Sequence, residues 1–201
     1  MATLGTTTEP TYLQEWTGIN TNNQIGRAFT MPEAGRILSI GVWIAGYAAD
    51  CSVKVTLWTP GGAVLASSAL FTAVYRAFGV GNNDLYVKDL TTPYQATNGQ
   101  SLWAGWARNP SAKLQWGDFN GGGDQYYKTV TGSWPAAFSG YSTDAGHPPG
   151  IYLVYETVPP IYVRRGGAWV QADSLQVRRA SAWSDATDLQ VRRGSVWIPT
   201  T

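Results

Sequence analysis

Five aspartates, Asp84, Asp89, Asp118, Asp124 and Asp144, fall in turn-rich stretches of this 201-residue chain. Two carboxylates held several ångströms apart are what glycoside hydrolysis needs. None of the five stands in a motif that singles out a partner, so they read as solvated turn residues. The single histidine, His147, sits in Gly146-His147-Pro148-Pro149, a rigid surface-turn context in which a Ser/His/Asp arrangement is not expected. Cys51 is the only cysteine, so neither an intramolecular disulfide nor a Cys/His zinc cluster can form. Asp118-Phe119-Asn120-Gly121-Gly122-Gly123-Asp124 spaces oxygen ligands as calcium loops do, but its twelfth position is Thr129 where such loops carry a bidentate glutamate. An ordinary turn is the favoured reading of 118–124, with calcium as the alternative. No GxxxxGK[ST] phosphate loop occurs. The expectation is a protein that is not an enzyme, with no catalytic residues, no metal and no cofactor.

Binding chemistry is better supplied. Trp103, Trp106, Trp116, Tyr126, Tyr127 and Trp134 crowd into one stretch of a chain with ten tryptophans. Aromatic faces stack on sugar rings and anchor protein interfaces, so Trp103, Trp116, Tyr126, Tyr127 and Trp134 are the candidate contact residues. Core packing is the competing use. By strand alternation Trp106 points inward with Leu102, and Trp103 points outward.

The elements that position these residues are strands. Leu38, Ile40, Val42 and Ile44 alternate with Ile37, Ser39, Gly41 and Trp43, and Val53, Val55 and Leu57 alternate with Lys54, Thr56 and Trp58. Leu85 and Val87 alternate with Tyr86 and Lys88, Leu102, Ala104 and Trp106 continue the pattern, and Ile151, Leu153 and Tyr155 end it. Thr59-Pro60-Gly61-Gly62, Asn98-Gly99 and Gly121-Gly122-Gly123 punctuate these runs as turns. Helical spacing with caps is absent. Short strands with frequent Gly and Pro predict an all-β, jelly-roll-like β-sandwich over residues 1–158, in which 1–10 form an N-terminal arm. Met1 to Thr8 lack a basic region and an apolar run, so no signal peptide is expected, and no stretch is apolar enough for a membrane helix.

Residues 159–201 form a second, small domain. Ile161-Tyr162-Val163-Arg164-Arg165-Gly166-Gly167-Ala168-Trp169-Val170 returns from Leu175 and again from Leu189, each time fourteen residues on. If Gly166-Gly167 is a two-residue hairpin turn, Arg164 faces Trp169 and Val163 faces Val170. The same register sets Arg178 against Trp183 and Arg192 against Trp197, three cation-π pairs worth about 0.5–1 kcal/mol each when exposed. Ala180 suits a primed turn poorly. One fourteen-residue hairpin buries too little to offset its ordering entropy, so the units must stack on each other, on the body, or on other chains. The last is favoured, which makes Val163, Arg164, Trp169, Val177, Arg178, Trp183, Val191, Arg192 and Trp197 the candidate oligomerisation residues.

Charge is sparse, 13% of residues, and uneven: residues 1–160 carry 8 basic and 10 acidic groups, residues 161–201 carry 6 arginines and 3 aspartates. A net charge of +1 gives no general attraction to nucleic acid. Consecutive arginines on a strand point to opposite faces, so only three join a common stripe, a weak phosphate footprint. Pairing between subunits with Asp173, Asp185 and Asp188 is the better use of them.

The Val-Arg-Arg, small turn and Trp of each tail unit resemble short repeats near the C-termini of minor tail proteins of phages infecting actinobacteria, over about forty residues. In the body, Ile25-Gly26-Arg27-Ala28-Phe29-Thr30 followed by Ala34-Gly35-Arg36-Ile37 resembles the opening of jelly-roll modules of bacterial surface and phage tail proteins. Val55 to Ala66 is similar to a strand, turn and strand seen in carbohydrate-binding relatives. The resemblance implies a non-enzymatic virion structural protein, made in the host cytoplasm, multimeric, with other virion proteins as partners and contact with a host-surface glycan as an added role. A capsid decoration or head-fibre protein and a carbohydrate-binding module are the alternatives. Neither nucleic acid nor membrane is expected as a partner.

Overall fold

Alternating sequence patterns become two facing sheets. The computed structural model describes residues 1–10, 24–77, 82–109, 113–119, 124–128 and 134–157, and the backbone alone of Tyr12–Gln14, Asp118, Asp144 and six strands beyond residue 160. In chain order these are β1 (Ala2–Gly5), β2 (Tyr12–Gln14), β3 (Gln24–Thr30), β4 (Gly35–Gly46) and β5 (Cys51–Trp58). Then come β6 (Val64–Ser67), β7 (Phe71–Ala73), β8 (Asp84–Ala96), β9 (Ser101–Arg108) and β10 (Leu114–Asp118). β11 (Asp124–Lys128), β12 (Ser142–Ala145) and β13 (Ile151–Thr157) complete the unit Met1–Thr157. No helix occurs among the described residues.

The first sheet, sheet A, runs β1-β13-β4-β8, with β10 and β2 extending it beside the end of β4. The second, sheet B, runs β12-β11-β3-β9-β5-β6, with β7 also on β5. All these strand pairs are antiparallel. Following the chain through β1, β3, β4, β5, β6, β8, β9 and β13 visits sheets A, B, A, B, B, A, B, A. With β1-β13-β4-β8 set against β3-β9-β5-β6, that is the double Greek key of a jelly roll. The expected β-sandwich is therefore the observed fold, and Ala2–Gly5, inside the expected arm, is the strand that flanks β13.

The core lies between the sheets. Sheet A contributes Ile37, Ile40, Val42, Ile44, Ile151 and Leu153, and sheet B contributes Ile25, Val53, Val55, Leu57, Leu102 and Trp106. Each such side chain stabilises the fold by about 1.5–3 kcal/mol relative to exposure. One phase differs from the sequence pattern. The register of β4 slips on both β13 and β8 at Leu38, a bulge that turns Ile37 into the core and leaves Leu38 only half-buried. On β8 the alternation holds, with Tyr86 against Val42 of the core face and Leu85 and Val87 on the outer face with Trp43 and Gly41.

Cys51 starts the inward row of β5 and is fully buried. Burial pushes its thiol from 9.0 up to about 11, against the attraction of Arg108, itself buried across the β5–β9 pair. Between pH 9 and 11 the unfolded chain releases this proton and the native chain keeps it, so stability falls with rising pH by about 1.4 kcal/mol per unit. Urea unfolding of the wild type and Cys51→Ala across that range checks this. An equal decline in both would contradict it.

Val158–Thr201 is a separate unit of three two-stranded sheets. β14 (Ile161–Arg165) pairs β15 (Ala168–Ala172), β16 (Gln176–Arg179) pairs β17 (Ala182–Asp185), and β18 (Gln190–Arg193) pairs β19 (Val196–Pro199). The backbone registers set Arg164 opposite Trp169, Arg178 opposite Trp183 and Arg192 opposite Trp197, with Val163 opposite Val170, Val177 opposite Ser184 and Val191 opposite Ile198. The turn pairs 166–167, 180–181 and 194–195, and the side chains that would form cation-π contacts, lie outside the described residues.

Candidate functional site

Among the described residues, the outer face of sheet B carries the densest aromatic group. On β5 the alternation sends Ser52, Lys54, Thr56 and Trp58 outward, yet Thr56 and Trp58 have no exposed surface. A segment therefore covers them. Residues 134–141 run across this face as a strap, and Phe138, fully buried, fills the space over the sheet.

Five rings meet there. Trp58 and Trp103 are directly opposed on β5 and β9. Phe138 stacks on Trp58 at 4.9 Å and meets Trp103 edge-on at 5.5 Å. Tyr126 of β11 stacks on Trp103 at 4.7 Å, and Tyr141 abuts Trp103 edge-on at 4.4 Å and Tyr126 at 5.1 Å. Offset and edge-to-face pairs of this kind add about 0.5–1.5 kcal/mol each beyond burial. Tyr141 is 38% exposed and is the open rim of the cluster. Burial foremost, then Asp124 and Tyr141, raises the Tyr126 hydroxyl above its ordinary value, so at neutral pH it is a neutral hydrogen-bonding group.

A strap laid over a sheet face brings backbone polar groups that need partners, and the sheet supplies them. Ala136 N–H donates to Gln24 Oε1 (2.6 Å), and the Ala136 carbonyl accepts from Trp58 Nε1 (3.0 Å). The Ala137 carbonyl accepts from Lys128 Nζ (2.9 Å), and Phe138 N–H donates to the Gly62 carbonyl (2.6 Å). Gly62 belongs to the β5–β6 turn, where its N–H donates to the Thr59 carbonyl at φ +86°. A Cβ there would stand 2.4 Å from Ser139 N, so glycine is needed both for the turn and for the strap's close approach.

The five candidate contact residues are divided by the fold. Trp103 and Tyr126 belong to the outer cluster, but Trp103 is 6% exposed and has no free face for a ligand. Trp116 is buried between the sheets, tilted against Trp106 at 6.1 Å, with Nε1 donating to Gln125 Oε1 at 3.3 Å. Tyr127 packs on the same main core, and Trp134 is half-buried where the strap begins. Trp58, Phe138 and Tyr141 were not singled out from the sequence. The alternation of β5 places Trp58 on the outer face, but nothing local shows that 138 and 141 arrive above it.

No protein-family model matches this chain, and no curated protein does. The site must be interpreted from its own chemistry. Asp84 is held by Arg76 at 2.9 Å, and Asp89 accepts from Ser39 Oγ at 2.7 Å, so both carboxylates serve local structure. Among the described residues no three of His, Cys, Asp and Glu gather as metal ligands would. Residues 120–123 and 129 of the calcium-like loop lie outside the described residues. What the arrangement offers is ring surface, two tyrosine hydroxyls and shape.

Proposed function

We propose that this chain is a non-enzymatic virion structural protein, a minor tail protein in its setting, that assembles as a multimer with its jelly-roll body displayed. The observation that carries the reading is the tail: three two-stranded sheets at one fourteen-residue period, each with Arg opposite Trp in the same register. A lone two-stranded hairpin is marginal in water, so these units need further polypeptide against them, and repetition suits a repeating assembly. Likeness of the Val-Arg-Arg/Trp units to those of phage minor tail proteins supports the same reading. The body adds a face built for contact more than for reaction, with Tyr141 as the ring open to a host-surface glycan.

Solution mass of the full chain and of residues 1–157 tests it, because the body is a separate unit whose core draws on no residue of the tail. The full chain is expected to be multimeric and the shortened chain to have lost that state. An unchanged oligomeric state would remove the tail from assembly.

A further inference from the structure

β8 is the margin of sheet A. Its strand partner is β4, and on its other side the described residues provide one bridge, between Leu90 and Ser68. From Asp84 to Asp89 that other edge has no described strand against it, and the chain beside it is tied to β8 through side chains, Val74 N–H donating to the Tyr86 hydroxyl at 2.8 Å and Arg76 pairing with Asp84. Natural edges are usually blunted by outward charge, proline or a bulge. Here the outer-face side chains are Leu85 and Val87, 40% and 45% exposed. Of the charges beside them, Lys88 is turned onto its own chain, 5.0 Å from the Phe71 ring and 5.7 Å from that of Tyr86, and Asp89, which shares the outer face, accepts from Ser39 Oγ. Leu70, Val74 and Tyr75, also exposed, flank β7, whose Phe71 touches Tyr86 at 5.3 Å. An apolar margin whose backbone is unpaired among the described residues invites another strand.

The sequence of the edge names the strand. Asp84-Leu85-Tyr86-Val87-Lys88 is self-complementary when read antiparallel about Tyr86: acid meets base, leucine meets valine, tyrosine meets itself. We propose that β8 pairs with β8 of a second copy across a two-fold axis at Tyr86. Asp84, which Arg76 holds within the single chain, then lies opposite Lys88 of the second copy, which adds to that pair as it swings off the Phe71 ring, and Leu85 lies opposite its Val87. Residues opposed across an antiparallel pair share a face, so both apolar contacts fall on the outer face and both charge pairs on the inner margin. Moving the axis to Val87 would oppose Leu85 to Asp89 and Asp84 to Leu90, the residue already bridged to Ser68. Moving it to Leu85 would require the buried Asn83. A two-fold contact of this kind closes on itself and makes a dimer, joining two sheets into one.

Disulfide trapping in the full chain at high protein concentration tests partner and register together. Leu85→Cys and Val87→Cys are exposed-site changes, and the native Cys51 is buried. Under mild oxidation a mixture of the two variants is expected to give linked dimer. Each variant alone is expected to lose it, because like positions then lie diagonally, about 7–8 Å apart and beyond disulfide reach. Equal linkage in all three samples, or none in the mixture, overturns the proposal. The readout is which cysteines join and not how large the assembly is, so it fails or succeeds independently of the tail.

Discussion

Phe138→Ala is expected to lower stability by about 3–5 kcal/mol, the range for removing a fully buried aromatic ring. The ring is the strap's only fully buried side chain among the described residues, and it touches Trp58, Trp103 and Tyr141. Its loss leaves a space that β3, β5 and β9 cannot collapse to fill, because their opposite faces are committed to the main core. The strap's remaining ties are the contacts of Tyr141 with Trp103 and Tyr126 and a few hydrogen bonds, the latter each worth about 1 kcal/mol net. Water reaching the cavity would then shift the emission of Trp58 and Trp103 to the red. Denaturant unfolding followed by tryptophan fluorescence checks both effects. A loss below about 1 kcal/mol with unchanged emission would mean that the strap contributes little to the body.

The second large effect is expected at Gly105. It stands opposite Gly26 on β3 and opposite Thr56 on β5, in the middle of sheet B. A Cβ built there would lie 1.9 Å from the Ile25 carbonyl oxygen, a backbone atom of the adjacent strand. No side-chain rotation relieves that contact, so the two central strands must part. Gly105→Ala should therefore cost on the order of 4 kcal/mol or more, at the severe end of single substitutions. Gly61→Ala is the matched control, since its nearest neighbour is Thr59 Oγ1 at 3.7 Å. A thermal melt of the two variants compares them, and equal melting temperatures would refute the close strand approach.

Much of the body was legible because strand burial has period two. Cys51, Val53, Val55 and Leu57, like Leu102, Ala104 and Trp106, take the core side that their alternation assigns. Two things escaped it. A bulge adds one residue and inverts the phase, which is how Ile37 exchanged places with Leu38, and no single residue type announces a bulge. At a margin, alternation gives two faces without saying which is covered, which is why Leu85 and Val87 are exposed while Tyr86 packs inward. The site was less legible than the fold. The outward direction of Trp103 follows from the period of β9, but its burial is set by Phe138, thirty-five positions away in the chain. Trp116 carries the same residue type and serves the core instead. Aromatic clustering in sequence thus marks a region rich in ring contacts without sorting platform from packing.

Charge followed simpler rules. The body's ion pairs Arg36–Glu156 and Arg76–Asp84 are partly exposed and contribute little to stability. The six tail arginines have only three tail aspartates to offset them, so like-charge repulsion opposes bringing tails together unless Arg–Asp pairing and ring contacts outweigh it. Raising salt should therefore strengthen an assembly held by apolar contacts and weaken one held by Arg–Asp pairs.

The dependence of the hairpin repeats on other polypeptide is tested most directly by amide hydrogen exchange of residues 158–201, alone as a peptide and within the full chain at rising concentration. The isolated segment is expected to exchange freely and remain monomeric, and protection of β14 to β19 to appear only in the full chain as assembly proceeds. A peptide that is protected and monomeric by itself, or tail amides that stay unprotected in the assembled full chain, would contradict this account.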